Sequence, residues 1–314
     1  MSRKLHAAAL GTLLGAMPAL SPAEAEPTTY HHAEVQGLDI FYREAGPKAA
    51  PTVLLLHGFP SSSHMFRDLI PVLAERYHVI APDYPGFGYS STPGLDRFQY
   101  TFANLATVMD AFTNQLGLQS YVLYMQDYGG PIGMRLALKH PERVRGFVVQ
   151  NAVVNVEGWH KEIVASFLPA WQNRTPETEK PLRAAFSAEA TRFQYTHGET
   201  RSDRVNPDAW TFDQALLDRP GNDQIQVELL YQYQDNVAQY PAWQEYLKAT
   251  QPPMLVVWGD NDPFFTTAGR DYFKTLVPSA EVHAYDAGHF ALETHLPEIS
   301  AAMLAFLDRL KPAN

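Results

Sequence analysis

One aspartate lies at a corner of this 314-residue chain where a nucleophile would be presented to a substrate. Asp127 follows the apolar run Tyr121 to Tyr124 and precedes a stretch with helical periodicity, so the pattern predicts a strand, a tight turn and a helix. An aspartate with the ordinary pKa of about 3.9 is an anion at neutral pH and needs no base before it attacks. A carboxylate attacks esters poorly but displaces leaving groups from saturated carbon. Asp127 therefore predicts a substrate with a C–O or C–halogen bond.

A covalent ester on Asp127 must then be hydrolysed, and that step needs a general base to activate water. His289 is the candidate base, because it follows Gly288 in a loop between the last predicted strand and the final predicted helix. The chain has 12 histidines, and the others lack this context.

The base needs an acid that fixes its tautomer. Two carboxylates, Asp260 and Asp262, occur in the loop after the penultimate predicted strand. Either could orient His289, and either could instead cap the following helix.

Backbone N–H groups near Asp127 are candidates for an oxyanion hole. Gly58 and Pro60 enforce a bend after another predicted strand, which can aim the Phe59 N–H into the site, opposite the N–H of Tyr128. Such a hole would hold one carboxylate oxygen at rest and stabilise the tetrahedral species during hydrolysis.

Composition and net charge limit the kinds of partner and cofactor that the protein could bind. A formal charge of −10 and a pI near 5.6 disfavour nucleic acid and anionic membranes, so we expect a small neutral organic substrate and water as partners. Zero cysteines exclude disulfides and thiolate catalysis. Neither a dinucleotide nor a phosphate-loop motif occurs, and the His31-His32 and Asp260/Asp262 pairs lack a third ligand, so we expect no cofactor and no metal.

The first 25 residues resemble an export signal. Basic Arg3 and Lys4 precede an apolar run from Ala7 to Leu20 and a small-residue site at Ala23 to Ala25. The pattern predicts a signal peptide over residues 1–25 and an exported, periplasmic or secreted protein. The alternative is an apolar N-terminal helix of a cytoplasmic protein.

Apolar segments rich in branched residues alternate with amphipathic ones, which predicts a mostly parallel eight-stranded sheet flanked by helices. The predicted strands are His32 to Val35, Asp39 to Arg43, Thr52 to Leu56, His78 to Ala81, Tyr121 to Tyr124, Gly146 to Gln150, Met254 to Trp258 and Glu281 to Ala284. The clearest predicted helices are Met65 to Arg76, Thr101 to Leu116, Gly130 to His140, Gly269 to Leu276 and Ile299 to Leu310.

The alternation fails after the sixth strand, where several helical stretches and many aromatic residues replace it. We therefore predict a core over residues 26–150 and 251–314, with a helical lid over residues 151–250. The lid should pack at the carboxyl edge of the sheet, where open α/β sheets bind ligands.

With these residues in place, the chain resembles the aspartate-nucleophile branch of the α/β-hydrolase fold, which includes soluble epoxide hydrolases and haloalkane dehalogenases. The resemblance runs from about Tyr30 to the C-terminus and implies that Asp262, not Asp260, is the orienting acid. It is carried by five motifs in the family's order: HGFP (57–60), APDYPGFG (81–88), QDYGG (126–130), WGDND (258–262) and GHF (288–290).

The resemblance also bears on the substrate. Haloalkane dehalogenases usually have Trp after the nucleophile and often Asn after His-Gly, where this chain has Tyr128 and Phe59. Epoxide hydrolases use lid tyrosines to protonate the ring oxygen, and Tyr233 is similar to the second of these. Where the family has its first lid tyrosine, this chain has Phe167 or Trp171, and Tyr195 could replace that tyrosine from a different lid segment. The resemblance implies that all three bind the substrate.

We therefore predict an α/β-hydrolase that forms an alkyl ester on Asp127, with epoxide opening as the main interpretation. Hydrolysis of a carbon–halogen bond is the alternative within the same mechanism, and a non-catalytic small-ligand binder is the alternative from another class. An ordinary esterase would need a serine nucleophile, but Ser61, Ser62 and Ser63 follow a different strand.

Overall fold

The computed structural model describes residues 27–310, which form an eight-stranded sheet covered by helices on both faces. The strand order is β1-β2-β4-β3-β5-β6-β7-β8; β1 and β2 pair antiparallel, and β3 to β8 run parallel. This confirms the predicted mostly parallel sheet. The strands are β1 (Thr29–Val35), β2 (Leu38–Ala45), β3 (Thr52–Leu56), β4 (His78–Pro82), β5 (Tyr121–Gln126), β6 (Val144–Gln150), β7 (Met254–Gly259) and β8 (Glu281–Tyr285).

Helices cover the sheet because its central strands are apolar on both faces. The helices are α1 (Leu69–Ala74), α2 (Phe102–Gln115), α3 (Gly129–Lys139), α4 (Lys161–Gln172), α5 (Lys180–Ala184), α6 (Ala188–Thr196), α7 (Pro207–Leu217), α8 (Asn222–Thr250), α9 (Thr267–Leu276) and α10 (Ala291–Arg309). Successive residues of a strand point to opposite faces of the sheet. Leu54 of β3 and Leu123 of β5 pack in the core on one face. Their neighbours Val53 and Val122 pack in the core on the other face. None of the helices in residues 27–310 is both long and apolar enough to span a bilayer.

The chain between β6 and β7 forms α4 to α8 and contributes no strand to the sheet. We call this segment the helical insertion. It contacts the core through α8, which packs on α2 and α3. The segment coincides with the predicted lid, whereas the division of the chain into domains stays a prediction, and the predicted signal peptide lies outside the described residues.

Two helix boundaries differ from the sequence prediction. The predicted helix from Met65 to Arg76 is a 3-10 turn followed by α1, which begins at Leu69 because Pro71 is tolerated only in a first helical turn. The last helix begins at Ala291 instead of Ile299 and has non-helical dihedral angles at His295, just before Pro297. The helix thus continues through Pro297, with a kink two residues earlier.

Candidate active site

The candidate catalytic residues follow the carboxyl ends of four parallel strands, which meet at one edge of the sheet. Phe59 follows β3, Asp127 follows β5, Asp262 follows β7 and His289 follows β8. The fold therefore brings together residues that are far apart in sequence.

Asp127 occupies the turn between β5 and α3 with φ of 49°, an uncommon conformation for a residue other than glycine. The turn is crowded. A Cβ on Gly129 would lie 2.2 Å from the carbonyl oxygen of Leu56, and a Cβ on Gly58 would lie 2.3 Å from Cβ of Asp127. Only glycines at these two positions allow the strand ends to approach so closely. The corner is thus fixed by its neighbours, as expected where backbone strain serves a site.

The Asp127 carboxylate is buried and held by backbone donors. The Phe59 N–H donates to Oδ1 at 2.7 Å, and the Tyr128 N–H also donates to the carboxylate. Burial raises the pKa of Asp127 to about 6, although His289 and the two N–H groups oppose the shift. The group is therefore an anion at neutral pH, with the two donors that the sequence predicted beside it.

His289 and Asp262 form a buried pair. His289 Nδ1 lies 2.8 Å from Asp262 Oδ2. Asp262 also accepts from Asn151 Nδ2 at 2.7 Å and from the backbone N–H of Phe264 at 2.7 Å. The Asp262 oxygen beside Nδ1 holds the imidazole with its proton on Nδ1 and leaves Nε2 as the acceptor.

Asp260 lies apart from this pair. Its carboxylate is 35% exposed and forms an ion pair with Arg270. The geometry therefore joins Asp262, and not Asp260, to the histidine.

Charge couples His289 to Asp127. Burial alone lowers the pKa of His289, but the charge and hydrogen bond of Asp262 together with the charge of Asp127 outweigh it, so that the pKa is raised above 6.5. An ester on Asp127 would remove one of these negative charges. The pKa of His289 would then fall, and the imidazole would become available as a base after the first chemical step.

Two phenol groups line the site. The rings of Tyr128 and Tyr233 lie 5.9 Å apart, and Phe102 packs edge-on against both. Both hydroxyls are buried. That of Tyr128 has no hydrogen-bond partner among residues 27–310, and that of Tyr233 faces the hydroxyl of Tyr240. Burial raises the pKa of both phenols well above 10, so they remain protonated donors.

Sequence reasoning missed two aromatic residues behind Tyr233. Trp159 packs edge-on against Tyr233 at 4.9 Å and donates its indole N–H to the hydroxyl of Tyr240 at 3.0 Å. Tyr233 and Tyr240 lie seven residues apart on α8, which places them on one face of the helix. That spacing was the signal in the sequence.

The other predicted lid residues divide into two groups. Phe167 packs on Trp159 at 6.1 Å, and Trp171 packs on Phe167 at 5.8 Å while its indole donates to the carbonyl of Leu230. Phe167 and Trp171 therefore belong to the aromatic layer that also contacts Tyr233.

Tyr195 does not join that layer. Its hydroxyl donates to Asp213 Oδ2 at 2.5 Å, and its ring stacks on Phe290 at 3.9 Å. The structure thus corrects the expectation that Tyr195 replaces the first lid tyrosine, because its only proton is already donated. Within the part of the chain described, no group of three or more His, Asp or Glu residues is placed to hold a metal ion.

Comparisons with known proteins identify the fold family. A family model for the alpha/beta hydrolase fold matches residues 51–296. An uncharacterized hydrolase of Saccharomyces cerevisiae is 40% identical over 280 residues, which are 88% of this chain and 96% of that protein. A haloalkane dehalogenase of Psychrobacter cryohalolentis is 30% identical over 300 residues, 88% of this chain and 89% of that protein.

Among solved structures, the haloalkane dehalogenase DbeA from Bradyrhizobium elkanii has a TM-score of 0.71 at 24% identity, with 89% of this chain and 97% of that chain covered. This likeness supports the fold alone. The chain belongs to the α/β-hydrolase fold family. It is a hydrolase of that family, with relatives in the dehalogenase-like branch.

The prediction of an exported protein is wrong. It depended on residues 1–25 alone, which lie outside the described residues. The finding that overturns it is the similarity to a yeast hydrolase over 96% of that protein's length. A charged start followed by an apolar run also fits an N-terminal apolar helix, so the pattern was too weak to outweigh this relationship.

Proposed function

We propose that this protein hydrolyses a carbon–halogen bond of a small neutral organic molecule through an alkyl ester on Asp127. One observation carries the proposal: a buried anionic carboxylate lies beside a His–Asp pair and under two buried phenol hydroxyls, of which that of Tyr128 has no hydrogen-bond partner among residues 27–310. The Psychrobacter haloalkane dehalogenase supports the choice of a halogen as the leaving group.

In the first step, a carboxylate oxygen of Asp127 attacks the substrate carbon and the halide departs with the bonding electrons. The hydroxyls of Tyr128 and Tyr233 donate hydrogen bonds to the halide, in place of the indole usual in haloalkane dehalogenases. No proton is transferred in this step.

In the second step, His289 Nε2 removes a proton from water as the water oxygen attacks Cγ of the ester. The N–H groups of Phe59 and Tyr128 stabilise the oxyanion. The bond from Cγ to the alkyl oxygen then breaks, and the alcohol takes the proton from His289. The new carboxylic acid loses its proton to solvent, which restores the Asp127 anion.

Opening of an epoxide is the second candidate, and the phenols favour it. A phenol can give its proton to a developing alkoxide, whereas an indole in the same place cannot. Tyr233 would protonate the ring oxygen as Asp127 attacks the ring carbon, and the remaining steps would be the same.

The helical insertion acts as the lid in this proposal. Only 8% of Asp127 and 1% of Tyr233 are exposed, so substrate cannot approach the nucleophile directly from bulk solvent. The insertion supplies Trp159 and Tyr233 over the site, and its displacement would admit substrate. Residues 151–250 would thus open and close over the core formed by residues 26–150 and 251–314.

The substrate class is tested with 1-bromobutane and styrene oxide. We expect bromide release from 1-bromobutane, and we expect Tyr233→Phe to slow ester formation by about tenfold to a hundredfold because the leaving group loses a donor. Rates come from halide and diol assays. Tyr195→Phe is the matched control, since the Tyr195 hydroxyl is bonded to Asp213, and it should change ester formation by less than about threefold.

The outcomes separate the candidates. Diol without bromide would replace the halogen proposal with epoxide hydrolysis. If neither bromide nor diol is released and no covalent adduct forms on Asp127, the ligand-binding alternative remains. Equal effects of the two tyrosine substitutions would contradict a role for Tyr233 at the leaving group.

The pH dependence of ester formation follows from the Asp127 carboxylate. Because its pKa is about 6, the anionic fraction falls about tenfold per pH unit below that value and is constant above it. We expect the single-turnover rate of ester formation to be flat from pH 7 to 8 and to fall below pH 6. Intact-protein mass after acid quench measures this rate, and a rate that stays constant down to pH 5 would contradict the prediction.

A further inference from the structure

Gln126, the last residue of β5, contacts the base nitrogen of His289. Its side chain is fully buried, and Nε2 lies 2.9 Å from His289 Nε2. Because His289 Nδ1 is bound to Asp262, this contact engages the only ring nitrogen that remains to accept a proton. An amide N–H donates well to a neutral imidazole but opposes an imidazolium, which would carry its own N–H there.

The other end of the same amide has no partner. Gln126 Oε1 is buried and accepts no hydrogen bond within residues 27–310. A buried acceptor of this kind is costly to leave unsatisfied. It lies next to the nucleophile, because a Cβ on Gly58 would be 2.3 Å from Gln126 Oε1 and 2.7 Å from Asp127 Oδ1.

We propose that Gln126 is a positioning residue for ester hydrolysis, which holds the attacking water between its own Oε1 and His289 Nε2. Water would displace the amide N–H from Nε2 and donate one hydrogen to that nitrogen and the other to Oε1. Both hydrogens would then be held, and an oxygen lone pair would face Cγ of the Asp127 ester. The inference rests on the proposed function, but it concerns only the second step.

Gln150 provides a matched control. It is the partner of Gln126 in the β5–β6 ladder and is equally buried, but its Nε2 contacts the backbone oxygen of His289 at 3.4 Å, and its Oε1 accepts from Tyr124. Removing either amide disturbs the same layer of the core. Only Gln126 touches the reacting nitrogen.

The test compares Gln126→Met with Gln150→Met in single turnovers. The probe is whichever of 1-bromobutane and styrene oxide alkylates the His289→Phe variant. We expect Gln126→Met to slow ester hydrolysis by about tenfold to a hundredfold and ester formation by less than about threefold, so that the alkyl-enzyme accumulates in intact-mass spectra. Gln150→Met should leave the ratio of the two rates within about threefold of the wild-type ratio.

A pH profile distinguishes positioning from a packing defect. The charged groups that act on His289 are Asp262 and, before ester formation, Asp127; during hydrolysis only Asp262 remains charged, and the substitution changes neither group. Loss of a donor to the neutral ring favours the imidazolium, so the acid limb of the hydrolysis step should move to higher pH in Gln126→Met, by about one unit or less. Gln126→Glu should move the acid limb further to higher pH, because a carboxylate accepts a hydrogen bond from the imidazolium. This variant replaces Gln126→Met in the test if the methionine variant does not fold.

Failure of this inference is distinguishable from failure of the proposed function. If His289→Phe forms no adduct with either probe, the proposed function fails. If His289→Phe forms the adduct but the two glutamine substitutions change the rate ratio equally, or Gln126→Met hydrolyses its ester at the wild-type rate, Gln126 does not position water.

Discussion

Replacing His289 with phenylalanine should stop the reaction after one chemical step and leave the alkyl group on Asp127. Ester formation needs only the carboxylate anion, whereas hydrolysis needs a base, and loss of a general base typically slows its step by about a hundredfold to ten-thousandfold. We expect His289→Phe to gain the mass of one alkyl group after exposure to 1-bromobutane or styrene oxide. Peptide mapping should place that mass on Asp127.

The matched control for this experiment is His283→Phe. His283 is an exposed residue of β8, the strand that leads into the His289 loop, and its replacement should leave turnover unchanged. His289→Gln is a second variant that retains a hydrogen-bond donor toward Asp262 if the phenylalanine destabilises the buried pair. Multiple turnovers by both His289 variants, or an adduct on another residue, would contradict the assignment of base and nucleophile.

The arrangement of the nucleophile, base, acid and oxyanion hole could be read from the sequence, because each of these groups lies just beyond a strand with a local signal. Parallel strands of a sheet end at one edge, so four such signals predict one site without any long-range information. The observed strand bounds agree with the predicted ones within a few residues, because β-branched and aromatic runs bounded by Gly and Pro are local features. Helix boundaries near Pro71 and Pro297 were predicted wrongly, because packing decides whether a proline begins, kinks or ends a helix.

Side-chain partners could not be predicted in the same way. The direction of the Tyr195 hydroxyl depends on Asp213, which a separate helix carries. The contact between Gln126 and His289 spans 163 residues, and the bond from Asn151 to Asp262 spans 111. These pairings are set by how separate strands and helices pack against one another, and no local propensity encodes them.

The nucleophile should also reduce the stability of the fold that holds it. Burial gives Asp127 a pKa of about 6 in the folded protein, against 3.8 for an unperturbed aspartate. An acid whose pKa is higher in the folded state binds more protons there, so the free energy of unfolding decreases as the pH rises from about 4 to about 6 and stays lower above that range. The shift corresponds to about 3 kcal/mol at pH 8, as an order of magnitude.

Asp127→Asn should therefore abolish turnover and ester formation while it stabilises the protein. A carboxamide cannot attack carbon, so we expect no adduct and a loss of activity of at least about ten-thousandfold. It also carries no charge to bury, and we expect the free energy of unfolding at pH 8 to rise by about 1 to 3 kcal/mol in urea denaturation, with less gain at pH 4, where the wild-type carboxyl is protonated. The expected gain in the free energy of unfolding is smaller than the full pKa shift of Asp127 would give, because one hydrogen of the new carboxamide would face the Tyr128 N–H.

The control is Asp260→Asn, in which the replaced carboxylate is 35% exposed and paired with Arg270. Loss of this partly exposed ion pair should leave stability unchanged or lower it by about 1 kcal/mol or less at both pH values. An Asp127→Asn protein that is less stable than wild type at pH 8, or one whose gain is the same at pH 4, would show that the carboxylate is not under electrostatic strain. Because the donors that oppose this strain are the Phe59 and Tyr128 N–H groups, the geometry that keeps the nucleophile ionised is the geometry proposed to stabilise the oxyanion of its ester.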